Sequence, residues 1–119
     1  MIPPPSKPRF KLTRNQRLRG YARFDEVYKT GKKCTAYPLM LMALRRDDNN
    51  PSRIGISIGR RCGNAVARNL IKRRIREAFR MMQHEVPPGY DLLLVIKPHK
   101  TLHVDDYQAR LRQLIPAAT

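Results

Sequence analysis

The residues best placed by type and spacing to do chemistry lie in one run, GRRCGNAVARNLIKRRIREAFR, from Gly59 to Arg80. Arg60, Arg61, Arg68, Lys72, Arg73, Arg74, Arg76 and Arg80 are cationic there, and Glu77 is the sole acid. Guanidinium and ammonium groups hold phosphates by charge-assisted hydrogen bonds, so this run offers anion binding rather than bond breaking. Groups that break bonds do not converge. The acids fall as neighbours (Asp25 and Glu26, Asp47 and Asp48, Asp105 and Asp106), and adjacent residues on a helix point in different directions. His84, His99 and His103 have no metal-ligand spacing with one another or with Cys34 and Cys62. Neither a P-loop nor a dinucleotide fingerprint is present. The expectation is a chain with no catalytic residue and no metal ligand of its own.

The totals point the same way. A chain of 119 residues suits a single domain. A net charge of +16 repels itself, which points to an anionic partner: nucleic acid first, an acidic membrane surface second. No apolar run reaches membrane-spanning length, and MIPPPSKPRF lacks the apolar centre of a signal peptide. Cys34 and Cys62 read as free thiols of a reducing compartment, and the location expected is cytoplasmic.

The basic run must be held by the elements around it. Residues 1–9, with four prolines, read as a flexible basic arm, and residues 10–119 as one nucleic-acid-binding domain. Lys11, Arg14, Arg17 and Arg19 extend the positive charge along a stretch read as extended. Gly20–Lys29 reads as a short helix with Phe24, Val27 and Tyr28 on one face, stopped at Gly31. Tyr37–Leu44 and Arg53–Ile58 read as strands joined by the turn-rich RRDDNNPSR into a hairpin, with a further strand near Lys33–Ala36. In the second strand Ile54, Ile56 and Ile58 alternate with Gly55 and Ser57, leaving one face open to close approach.

Asn64 is a suitable N-cap for a helix over Ala65–Met82. At about 100° per residue, Ala67, Ile71, Ile75, Ala78, Phe79 and Met82 form its core face. Lys72, Arg73, Arg76 and Arg80 fill the neighbouring arc with Asn69, Arg68 stands at the boundary, and Arg74 lies on the other side. Asp91–Ile96 is the most apolar strand, and Val104–Ile115 a second amphipathic helix with Pro116 at its end. One small sheet covered by helices accounts for this order, so the class is α+β.

The run SIGRRCGNAVARNLIKRRIREAFR resembles the signature of the bacterial ribonuclease P protein component. Gly63–Val66, Arg68, Asn69, Ile71, Lys72, Arg73, Arg76, Glu77 and Phe79 carry the match. Leu18–Gly31, Arg53–Ser57 and Gly89–Ile96 resemble the family's first helix, a strand and its last strand. The resemblance implies a two-layer α/β sandwich on a four-stranded mixed sheet. Its long central basic helix makes a left-handed βαβ crossover, as in ribosomal protein S5 domain 2-like folds. It implies a subunit that pairs with a catalytic RNA and promotes removal of the 5′ leader from precursor tRNA. The Mg²⁺-dependent chemistry falls to the RNA, and no obligatory protein partner is implied.

Carried over by position, Arg68, Asn69, Lys72, Arg73 and Arg76 would face RNA from the helix, and Arg60 and Arg61 from the loop before it. Phe24, Tyr28 and Met42 would line a cleft for the single-stranded leader, where aromatic faces stack on bases with little sequence preference. The chain departs from the family's pattern at Leu70, where an arginine is common, and at Met42, where an aromatic is common. Arg60 and Arg61 replace a common lysine pair. Two other classes fit less well. A groove-binding ribosomal or DNA-binding module would not spread its cations over so wide an arc, and a free-standing nuclease would need convergent acids or histidines.

Overall fold

The computed structural model describes residues 17, 18 and 20–119, so the arm expected over residues 1–9 lies outside the described residues. In chain order the elements are α1 (Tyr21–Thr30), β1 (Lys32–Ala36), β2 (Leu39–Arg45), β3 (Arg53–Ile58), α2 (Ala65–Met82), β4 (Tyr90–Ile96) and α3 (Val104–Ala118). A single 3₁₀ turn, Arg60–Cys62, leads from β3 to α2. The four strands form one sheet in the order β1-β2-β4-β3. β1, β2 and β4 pair antiparallel, whereas β3 runs parallel to β4.

The expected hairpin between the second and third strands does not form. β4 lies between them, and the hairpin of the sheet is β1–β2, turning at Tyr37 and Pro38. The physical reason is burial: DLLLVI is buried on both faces except at Val95, and only an inner position covers such a strand twice. Parallel partners need a crossover connection, and α2 supplies it between β3 and β4.

Strand alternation then sorts the core. Leu39, Leu41, Ala43, Ile54, Leu92, Leu94 and Ile96 face α2 and α3, which contribute Ile71, Ile75, Ala78, Phe79, Met82, Tyr107, Leu111, Leu114 and Ile115. Val27 of α1 is buried with Leu18, Met42 and Leu93 on the opposite side. α1 therefore covers part of the sheet's second face and α2 with α3 cover the first.

Local signals explain the helix ends. The Asn64 side chain accepts a hydrogen bond from the Ala67 N–H at 2.9 Å, capping α2 as its sequence predicts. Gly31 stops α1, but not by a left-handed turn: its φ is −70°. A Cβ there would meet the Val27 carbonyl oxygen at 2.6 Å and Ala43 backbone at 3.1 Å. Glycine is needed because α1 runs into β2. α3 continues past the expected stop to Ala118, since Pro116 sits in the last turn, where it leaves only one carbonyl near the helix end unpaired.

Candidate nucleic-acid interface

The basic residues of α2 divide by what they touch. Arg74 donates to the Leu102 carbonyl at 2.8 Å, tying α2 to the segment before α3. Arg80 pairs with Glu77 one turn back. These cations serve the fold. Among the described residues, the side chains of Arg60, Arg61, Lys72, Arg73 and Arg76 make no hydrogen bond or ion pair, and Arg60, Arg61, Asn69 and Arg73 are exposed. Arg68 is half-buried, and its Nε is fully covered with no hydrogen-bond partner. A covered guanidinium nitrogen without an acceptor is costly. Burial first, and then the positive charge of Arg17, push the Arg76 guanidinium pKa down. Of the residues expected to face RNA, Arg68, Lys72 and Arg76 follow one another at four-residue spacing on α2, and Arg60 and Arg61 stand in the 3₁₀ turn that precedes its start. Leu70 is half-buried.

The second predicted site lies on the other face of the sheet. Register puts Lys33, Met42, Leu93 and Gly55 in one row, and Thr35, Met40, Val95 and Ser57 in the next. α1 lies over the first row. Gly55 is what lets it come close, because a Cβ there would stand 2.6 Å from Phe24 Cζ and 3.2 Å from Leu18 Cβ. Phe24 is half-buried, Tyr28 is 46% exposed, and Lys33 Nζ stands 5.3 Å from the Tyr28 ring centroid. Phe24 and Tyr28 therefore border an open strip of sheet. Met42 does not: it is wholly buried, and its role is to support α1 from below. Besides Phe24, the apolar side chains of this cluster that remain partly open are Met40, Leu44 and Val95, of which Met40 and Val95 share the row next to Met42. Strand alternation gives Met40 the same face as Met42, so its candidacy was readable from sequence. Where α1 would cross the strand was not.

A buried acid fixes α1 on this face. Asp91, 0% exposed, accepts from Arg23 Nε at 2.6 Å, Arg46 Nη1 at 2.9 Å, and Arg53 Nε and Nη2 at 2.6 and 2.7 Å. Burial alone would raise its pKa. The hydrogen bonds from Arg53, Arg23 and Arg46 outweigh burial and hold the carboxyl at about 2. Arg46 also reaches Asp48 and the carbonyls of Asn50 and Pro51, which closes the loop before β3. Sequence spacing gave no sign of this cluster, since Arg23 and Asp91 are 68 positions apart.

His99 has a structural task. Its Nδ1 lies 2.8 Å from the Lys97 carbonyl, so Nδ1 carries the proton, and Nε2 accepts from the buried Tyr107 hydroxyl at 2.7 Å. His103 lies outside this contact, and the two histidines share no ligand. Among the described residues no three His, Cys, Asp or Glu side chains gather as a metal site requires, and both Asp91 oxygens are already taken by guanidinium groups. These residues do not fit a protein-held divalent ion. No described helix is long and apolar enough to cross a membrane.

A family model described as Ribonuclease P matches residues 12–119. The ribonuclease P protein component of Gluconacetobacter diazotrophicus is 45% identical over 83 residues, covering 69% of this chain and 72% of that one. That of Ligilactobacillus salivarius is 32% identical over 87 residues, covering 73% and 77%. Among solved structures, the RNase P protein of Staphylococcus aureus superposes with a TM-score of 0.77 at 28% identity, covering 87% of this chain and 95% of that one. The Thermotoga maritima RNase P protein gives 0.75 at 26% identity, covering 87% and 97%. A S. aureus RNase P protein mutant with defective mRNA degradation activity gives 0.78 at 27% identity, covering 87% and 88%.

Proposed function

The chain belongs to the ribonuclease P protein family, and on that premise we propose that it binds the catalytic RNA through α2 and the precursor tRNA leader through the cleft beside α1. The observation that carries this reading is the unpaired cationic surface of Arg60, Arg61, Arg68, Lys72, Arg73 and Arg76, with Asn69 among them. Such a surface is unfavourable by itself and becomes favourable when phosphates neutralise it and release counterions. The cleft reading rests on Phe24 and Tyr28, with Met40 and Val95 as the apolar strip and Lys33 as a cation beside them. Aromatic stacking on unpaired bases tolerates variable leader sequences. Removal of the 5′ leader is then hydrolysis carried out by the RNA with Mg²⁺ that the RNA holds. The protein's share is to bind and position both RNAs, in the cytoplasm, as one domain with its basic arm.

Reconstitution tests this. With its cognate ribonuclease P RNA, the protein is expected to promote precursor tRNA cleavage at low Mg²⁺; failure to improve cleavage or substrate binding would sink the reading. The S. aureus RNase P protein mutant described as having defective mRNA degradation activity makes a free-standing ribonuclease the second reading. Incubation of the protein alone with precursor tRNA and an unstructured mRNA separates the two, because cleavage without the RNA subunit would favour the second.

A further inference from the structure

Arg17 lies outside the family signature run and α2, yet the fold brings it to the same surface. Its backbone bridges Ile54 in parallel register at the outer edge of β3, and the Leu18 N–H donates to the Ile54 carbonyl at 2.9 Å. Paired residues in a sheet share a face. Ile54 belongs to the core shared with Ile71 and Ile75 of α2, so the exposed Arg17 side chain projects on the α2 side. Leu18, one residue on, is 5% exposed and buried with Val27 on the α1 side, which fixes the alternation. α2 leaves the end of β3 and must return to the start of the parallel β4, which is in register with the start of β3, so its later turns, with Arg76, come back toward the start of β3, where Arg17 pairs. The charge of Arg17 there also pushes the Arg76 pKa down. No acid stands between them among the described residues. The nearest in sequence, Glu77, is taken by Arg80. A buried leucine and a backbone bridge thus place the Arg17 side chain on the α2 side of the sheet, the side that carries Arg76, and neither guanidinium has an ion-pair partner among the described residues.

We propose that Arg17 and Arg76 together seat one backbone phosphate of the RNA partner, so that the extended segment before α1 is part of the RNA-binding surface. This rests on the reading of α2 as the face for the catalytic RNA, and it adds a residue that neither the helix nor the loop before it supplies. A phosphate between the two planar groups removes their mutual repulsion and can accept from both. The row Arg68, Lys72, Arg76 advances about 6 Å per step along the helix, and Arg17 carries it past Arg76 toward the sheet edge.

The test is binding of the cognate ribonuclease P RNA across a salt series. The proteins are wild type, Arg17→Gln, Arg76→Gln, the double variant, and Arg112→Gln, which removes the same charge from the exposed Arg112–Glu85 pair on α3. Each of the first two single changes is expected to raise Kd on the order of tenfold. Each should flatten the log–log salt slope by up to about one, and the double variant by about one rather than two, because one phosphate is lost. Arg112→Gln should leave the slope unchanged. The free Arg17→Gln protein should melt no lower than wild type, since it loses a repulsion. Arg17→Gln behaving like Arg112→Gln would overturn the proposal, as would a double variant whose loss equals the product of the singles. A lowered melting temperature for free Arg17→Gln would assign its effect to packing and overturn it too. If wild type itself fails to bind the RNA, the α2 reading falls and takes this one with it. If wild type binds and Arg17→Gln is silent, only the shared phosphate seat falls.

Discussion

Asp91 touches neither proposed RNA site, yet it governs how one of them is built. Its carboxylate is the shared acceptor for Arg23 of α1, Arg53 of β3 and Arg46 of the loop after β2. Replacing it with asparagine removes the charge and leaves three guanidinium groups crowded together. Loss of one partner of a buried ion pair costs about 3–5 kcal/mol, and Asp91→Asn should lower stability by that order, read as a reduced denaturant midpoint. The pH dependence follows from the same site. The carboxyl titrates at about 2 in the folded chain against 3.8 ordinarily. A depressed carboxylate stabilises the fold above its unfolded pKa and loses that contribution as pH falls through the folded one. The difference corresponds to about 2 kcal/mol, so stability should fall between about pH 4 and pH 2, and in Asp91→Asn that component of the acid transition should be absent. Nothing in the sequence separated Asp91 from the other acids. Its importance comes from three arginines brought in from distant positions, and local spacing carries no trace of such convergence.

At the scale of elements, the sequence was most legible where one helix dictates its own pattern. The core and basic arcs of α2, its Asn64 cap and its bounds all follow from residue order, because helical periodicity and capping are local. The family signature also directed attention to the cationic positions that the fold leaves without partners. Periodicity already set Arg74 outside the basic arc, and neither Arg74 nor Arg80 is among the positions carried over from the family; what the fold adds is their use, since both are internal ties. Adjacent arginines should therefore behave differently. Arg73→Ala should flatten the salt slope of RNA binding by about one and leave the melting temperature nearly unchanged. Arg74→Ala should do the reverse, since it frees the Leu102 carbonyl and the segment leading into α3. Equal slopes for both variants would mean that partnering does not decide which cations meet RNA. The strands were less legible, because β4 pairs across long sequence separations and displaces the local hairpin. For the same reason Met42 was misjudged: alternation gives a residue's face, but only packing says that α1 covers it. Phe24 remains at the border of the open strip, and Phe24→Ala is expected to weaken binding of leader-bearing tRNA more than of mature tRNA. Equal losses for the two substrates would identify a packing defect instead.

For the whole molecule, the net charge is +16, and among the described residues the two faces of the one sheet carry their cations differently. The α2 face carries unpaired cations in a row, whereas on the α1 face Arg23 and Arg53 are paired with the shared Asp91 and the open strip is largely apolar. This division gives salt two opposite effects. In the free protein, like charges repel, and added salt screens that repulsion over a Debye length of about 10 Å at 0.1 M. Raising salt from about 10 mM to about 100 mM, which shortens the Debye length from about 30 Å to about 10 Å, should thus raise the melting temperature. In the complex the phosphates already supply the counter-charge, and salt competes with them, so RNA affinity should fall over the same range. The sign reversal is the measurable signature: melting of free protein and RNA binding, followed in one buffer series, should move in opposite directions. A protein whose cations were mostly satisfied internally would show little change in either, and a melting temperature that fell with salt would mean that internal ion pairs, not repulsion, dominate the free molecule.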